Sequence, residues 1–177
     1  YQVSRMDLEH KNIYVKQAWE NYFTESKAEK ETAILGQDKM RPAGNFIVKL
    51  GRLKVTERVT GYDKKDMHGR QVLDSHTLEL PPVIFETVGL WMEIEQPIVE
   101  RIQAKGLHYM GAIHAAEHAM ISLFPLFALC DRTDVGGISY PMHPQLGKSA
   151  IFIYDGVPGG IGLSERCYEV VEDLMGK

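Results

Sequence analysis

The apolar period of this chain changes once, near Gln96, and that change restricts the fold more than any single motif does. Before it, apolar residues alternate: NIYVKQ sets Ile13 and Val15 between polar neighbours, NFIVKLGRLKVTERVTGYD is a long β-rich run, and QVLDSHTLELPPVIF alternates until Pro81 and Pro82, which cannot donate to a sheet ladder. Within the long run Phe46, Val48 and Leu50 share one face, but after Gly51 the apolar set is Leu53, Val55 and Val59. A bulge at the glycine would produce that change of register and would set Arg52, Lys54 and Arg58 together on the outward face. After Gln96 the spacing is helical, with Pro97 at a helix start, apolar residues at 98, 99 and 102, and Gly106 as a stop. From about Leu107 to Cys130 the chain is apolar on nearly every side, which predicts a helix buried inside a domain. A loop, CDRTDVGGISYPMHPQLGKS, follows, and AIFIYDGVPGGIGLSERCYEVVEDLM then reads strand, glycine turn, helix. The expected fold is α+β: an antiparallel, barrel-like β-rich part over residues 1–95, then a mixed α/β part over residues 96–177 with a buried central helix.

A chain of 177 residues, 44% of them hydrophobic, can bury a sizeable core. It opens on Tyr1 and stops at VVEDLMGK just after a helical pattern, so both ends read as cuts within a longer protein. Cys130 and Cys167 are too few for a disulfide scaffold or a four-thiolate zinc site, and they suit a reducing cytoplasm. The most apolar run, AMISLFPLFALC, contains Pro125 and falls well short of the roughly twenty residues that span a bilayer, so no membrane partner is expected. The net charge of -4 argues against polyanion binding by the chain as a whole. From Lys39 to Arg70, however, nine Lys or Arg face three Asp or Glu, a local balance of +6, and the stripe of Arg52, Lys54 and Arg58, with Lys49, Lys64 and Lys65 nearby, is suited to phosphates.

Three motifs carry possible chemistry. HAAEH, residues 114–118, places His114 and His118 one helical turn apart, where both can address one metal ion, with Glu117 beside them; His-x-x-Glu-His is the pattern of inverted zinc metalloproteases. No downstream acid stands at a defensible spacing for the third ligand, so a buried polar cluster joining His114, Glu117 and His118 to the Asp131 to Gly137 loop, Asp134 included, and to the Asp155 turn outweighs a metal-dependent hydrolase. Gly147-Lys148-Ser149 resembles the end of a phosphate loop, but Met142 stands where that loop requires glycine, and a strand follows rather than a helix. DGVPGGIGLSE sets glycines 156, 159, 160 and 162 between strand and helix, yet Glu165 occupies the last position of the dinucleotide fingerprint. Glycines that let a helix approach a sheet account for the same letters.

The phrases MDLEHKNIYVKQAWENYFTES, GAIHAAEHAMISLFPLFALCDRTDVGG and AIFIYDGVPGGIGLSERCYE resemble the C-terminal region of superfamily 2 DEAD/DEAH-box DNA helicases of the mitomycin repair factor A, or YprA-like, type. The resemblance covers nearly the whole chain. It implies an accessory domain that supports or guides single-stranded DNA in repair and is non-catalytic in isolation, in a cytoplasmic ATP-dependent helicase of 3′ to 5′ polarity. ATP and Mg would then belong to motor domains elsewhere in the same chain, which with DNA would be its partners. Zinc would belong to a cluster of four cysteines beyond Lys177, so no cofactor is expected within these residues, and neither Cys130 nor Cys167 belongs to that cluster.

Overall fold

The computed structural model describes residues 1–7, 9–68 and 71–175. The chain forms two compact units, one of residues 1–29 and 58–81 and the other of residues 30–57 and 82–177. In the first, β1 (Gln2–Asp7) and β2 (Asn12–Lys16) make an antiparallel pair, and β5 (Val72–Thr77) pairs with the distal part of β4 (Phe46–Asp66), Tyr62 opposite His76. The start of β3 (Tyr22–Ala43) belongs to this unit, where Lys27 pairs with Asp63 at 2.6 Å, Lys65 pairs with Glu25, and the Lys64 ammonium lies 5.1 Å from the centre of the Tyr22 ring. The Lys27 bond, and after it the Ser75 hydroxyl, hold the Asp63 carboxyl below its ordinary range.

In the second unit β3 and β4 continue into an antiparallel sheet with β6 (Val83–Ile94), β7 (Val135–Tyr140) and β8 (Ser149–Asp155), in the order β3-β4-β6-β8-β7. Helices α1 (Gln96–Ala104), α2 (Tyr109–Leu123) and α3 (Leu163–Met175) complete it. Each face of this sheet carries a core. Val48, Leu50, Leu90, Met92, Ile94, Ile151 and Ile153 pack with Ile113, Met120 and Ile121 of α2 and Cys167 and Val171 of α3. On the opposite face Leu53, Val55, Trp91, Ala150, Phe152 and Tyr154 form a second core with Ile34, Phe85, Ile138, Tyr140 and Leu146.

Four expectations need correction. No bulge occurs at Gly51: β4 stays in unbroken register with β6 from Val48↔Met92 through Gly51↔Gly89 to Glu57↔Val83. The apolar set changes parity because the chain passes from one core to the other, Val48 and Leu50 facing the helices and Leu53 and Val55 facing away from them. Nor is there a closed barrel. The sheet is open, and side chains bridge its edges: the Thr32 N–H donates to the Tyr140 hydroxyl at 2.6 Å, His143 Nε2 lies 3.0 Å from the Thr32 carbonyl, and the Gln145 amide accepts from the Ile34 N–H at 2.6 Å and donates to the Ile34 carbonyl at 3.0 Å. Those bonds cover an otherwise open strand edge. The helix over residues 109–123 is not buried on all sides: Ile113, Glu117, Met120 and Ile121 are buried, while its outer face is largely alanine and histidine. The stretch expected as a loop after Cys130 contains β7, whose Gly136 and Gly137 hid the strand signal.

The change from strand to helix at Glu95 is present, β6 ending at Ile94 and α1 beginning at Gln96. The compact units follow other bounds, because β6 pairs with β8 along its length from Gly89 to Ile94. Among the described residues no helix is long and apolar enough to cross a membrane.

Candidate functional site

Helix α2 is positioned by its own start and by a glycine opposite it. His108 caps the helix, its Nδ1 accepting from the Gly111 N–H at 3.0 Å. Across from α2, a Cβ placed on Gly137 would stand 2.8 Å from Ile121 Cδ1 and 3.1 Å from Glu117 Cγ, so glycine is what lets the helix lie this close to β7. The same packing buries the Glu117 carboxylate, at 5% side-chain exposure, while leaving His114 at 60%.

The trio then forms a short chain. Glu117 Oε2 is 3.1 Å from His114 Nδ1, His114 Nε2 is 3.1 Å from His118 Nε2, and the Ser139 hydroxyl of β7 is 3.4 Å from His114 Nδ1. The two rings meet nearly edge to face, 79° apart with centroids 4.4 Å apart. An ionised carboxylate only accepts, so His114 carries its proton on Nδ1 and presents the Nε2 lone pair to His118. One ligand atom from each of the three residues lies within 4.8 Å of the others, a cluster the sequence spacing had indicated; the nearby hydroxyl of Ser139 gave no such signal, since it sits on the unrecognised strand.

The acids expected in the same polar core lie elsewhere. Among the described residues no hydrogen bond joins Asp131, Asp134 or Asp155 to His114, Glu117 or His118. Asp131 and Asp134 close a 3₁₀ turn, the Asp134 carboxylate accepting from the Asp131 N–H at 2.9 Å, and this turn is tied to the Asp155 turn by the Gly156 N–H donating to the Asp134 carbonyl at 2.7 Å. Asp155, fully buried, caps α3: one carboxylate oxygen accepts from the N–H groups of Ile161 (2.6 Å) and Leu163 (3.2 Å), the other from the Ser164 N–H (2.7 Å) and hydroxyl (2.5 Å). The glycine turn at 159–162, with positive φ at Gly159, Gly160 and Gly162, therefore does cradle an anion, and that anion is the chain's own carboxylate.

Lys148 is equally engaged, 2.8 Å from Glu95 and 3.6 Å from Glu93; the Glu95 bond holds its pKa above the ordinary lysine value. Around the basic stripe, Lys49 pairs with Glu93, and Lys64 and Lys65 are held as described above. Arg52, Lys54 and Arg58 are exposed, and among the described residues none of them is in an ion pair. Arg52 and Lys54 stand on the second unit's portion of β4 and Arg58 on the first unit's portion.

Residues 116–177 match the family described as the MrfA Zn-binding domain. The ATP-dependent helicase YprA of Bacillus subtilis (strain 168) is 29% identical over 176 residues, covering 98% of this chain and 23% of that protein. The ATP-dependent helicase HRQ1 of Saccharomyces cerevisiae is 28% identical over 138 residues, covering 72% of this chain and 13% of that protein. The crystal structure of the DUF1998 helicase MrfA bound to DNA superposes with a TM-score of 0.65 at 25% identity, over 98% of this chain and 23% of the other. The chain thus spans less than a quarter of the length of these relatives.

Proposed function

We propose that this chain, which matches the accessory C-terminal region of MrfA- and YprA-type ATP-dependent helicases, supports and guides single-stranded DNA beside motor domains carried elsewhere in the same protein. The carrying observation is the superposition of almost the entire chain on a DNA-bound helicase. Nothing in these comparisons supports the metal-dependent hydrolase, and the buried Glu117, engaged by His114, is poorly placed to activate water. In this reading ATP and Mg act in the motor, translocation runs 3′ to 5′, the protein works in DNA repair in the cytoplasm, and Arg52 and Lys54 are phosphate contacts, with Arg58 a separate one. Their support is electrostatic: they are exposed cations without an ion-pair partner among the described residues.

The family description also implies zinc, and the thiols present do not fit it. Burial pushes the Cys167 thiol up to about 12, and burial followed by Asp134, Asp131 and Asp155 raises Cys130, the reverse of what thiolate ligation needs. No step of the proposed function runs through zinc held by these cysteines.

The test is DNA affinity as a function of salt. On a single strand each neutralised phosphate contributes about 0.7 to the slope of log K against log salt. Arg52→Ala with Lys54→Ala is expected to lower that slope by about 1.4, and Arg58→Ala by about 0.7, with weaker binding to every sequence tested. Unchanged slopes in all of these variants would remove the three residues from the DNA path.

A further inference from the structure

We propose that His114 and His118 bind a divalent cation of the imidazole-preferring class, Zn²⁺ or Ni²⁺ rather than Mg²⁺ or Ca²⁺, through their two Nε2 atoms, with Glu117 as the residue that orients His114. Two nitrogens bound to one tetrahedral zinc at about 2.0 to 2.1 Å from it stand about 3.3 Å apart. The two Nε2 atoms are 3.1 Å apart, so the separation that one ion requires is already built. A rigid helical turn sets it.

Tautomers agree with this assignment. Glu117 fixes the His114 proton on Nδ1, which is the arrangement found when a metal-bound histidine donates its other ring N–H to a carboxylate. His118, an exposed residue, frees its own Nε2 by moving its proton to Nδ1, which has no hydrogen-bond partner among the described residues. Both Nε2 atoms are then free to bind, and with both residues exposed the remaining coordination positions are open to water or an outside ligand. Glu117 is spent on orientation and buried against β7, so the site holds a cation without supplying the base that hydrolysis needs. This centre shares no residue with the thiols and is independent of the DNA reading.

The experiment is calorimetric titration of untagged, chelator-stripped protein with Zn²⁺, Ni²⁺ and Mg²⁺, comparing wild type, His118→Ala, Glu117→Gln and the Cys130→Ser, Cys167→Ser double variant. Wild type and the cysteine variant should each show one Zn²⁺ equivalent that is missing in His118→Ala, and Mg²⁺ should not replace it. Glu117→Gln should bind Zn²⁺ about 10 to 100-fold more weakly, the usual cost of losing such an orienting partner. Because His118 is exposed, its alanine variant is expected to melt like wild type, which keeps the comparison clean if Glu117→Gln unfolds. The same Zn²⁺ stoichiometry and affinity in wild type and His118→Ala would overturn the assignment, and unchanged binding by a folded Glu117→Gln would overturn the role given to Glu117.

Discussion

Replacing Asp155 tests whether the glycine turn is organised by the chain's own carboxylate. Its two oxygens accept three backbone N–H bonds, from Ile161, Leu163 and Ser164, and one from the Ser164 hydroxyl, all where the carboxylate has no access to water. Asp155→Ala leaves those donors facing an apolar gap. Loss of a helix cap costs about 0.5 to 2 kcal/mol, and each buried donor left unsatisfied about 1 to 3 kcal/mol. Water entering the space vacated by the carboxylate recovers part of this, which brings the expected loss to about 4 kcal/mol. For a domain of this size that is about 8 to 16 °C in melting temperature. Asp155→Asn keeps one acceptor oxygen but turns an NH₂ group toward donors, so it should fall between alanine and wild type. Thermal unfolding followed by circular dichroism measures both, and α3 should lose helical signal first. An alanine variant melting within about 2 °C of wild type would show that the turn holds without its internal anion, and the whole account of the glycine segment would fail with it.

Gly137→Ala should lower the melting temperature by about 2 to 8 °C, from about 1 to 2 kcal/mol of overpacking against Ile121 and Glu117, and a variant as stable as wild type would mean that α2 is free to move outward. The buried Cys167 makes stability pH-dependent on the alkaline side: burial pushes its thiol up to about 12 from the ordinary 9.0, so the unfolded chain releases the proton first and stability should decline from pH 9 toward pH 12. Cys167→Ala should flatten that decline in denaturant titrations at pH 8 and pH 10, and equal slopes in both proteins would refute the linkage.

How much of this was legible beforehand can be traced residue by residue. The alternation around Val48 to Val55 marked β4 correctly, but its change of parity had two physical causes that leave the same letters: a bulge, or a strand whose two faces enter different cores. Only cross-strand register separates them. β7 was not legible because Gly136 and Gly137 lower strand propensity for a packing reason, the closeness of Tyr154 on one side and α2 on the other. In α2 the alanines make the sequence look apolar all round, although a methyl group can face water at little cost. The histidine pair followed from helical spacing alone. The separation of Asp131, Asp134 and Asp155 from it could not be read, since pairing between distant turns depends on the sheet that positions them.

The placement of charge on β4 bears on what the second unit does. Lys49 lies on the face opposite the helices and is neutralised by Glu93, as expected for a half-buried ammonium. Arg52 and Lys54 lie on the same face as Val48 and Leu50 and are exposed, so an apolar surface gives way to a cationic one within two residues of Leu50. Glu86 stands opposite Lys54 in the register, yet no ion pair forms between them. Stability alone would favour closing that pair or replacing the cations, because adjacent positive charges repel and no ion pair among the described residues holds them. A polyanion lying across the strand would offset them, and its counterion release would favour binding at low salt. Neutralising Glu86 as Glu86→Gln should therefore raise DNA affinity while Lys54→Ala lowers it. If both changes leave affinity the same, this exposed stretch of the strand is a solvated surface and the DNA path runs elsewhere.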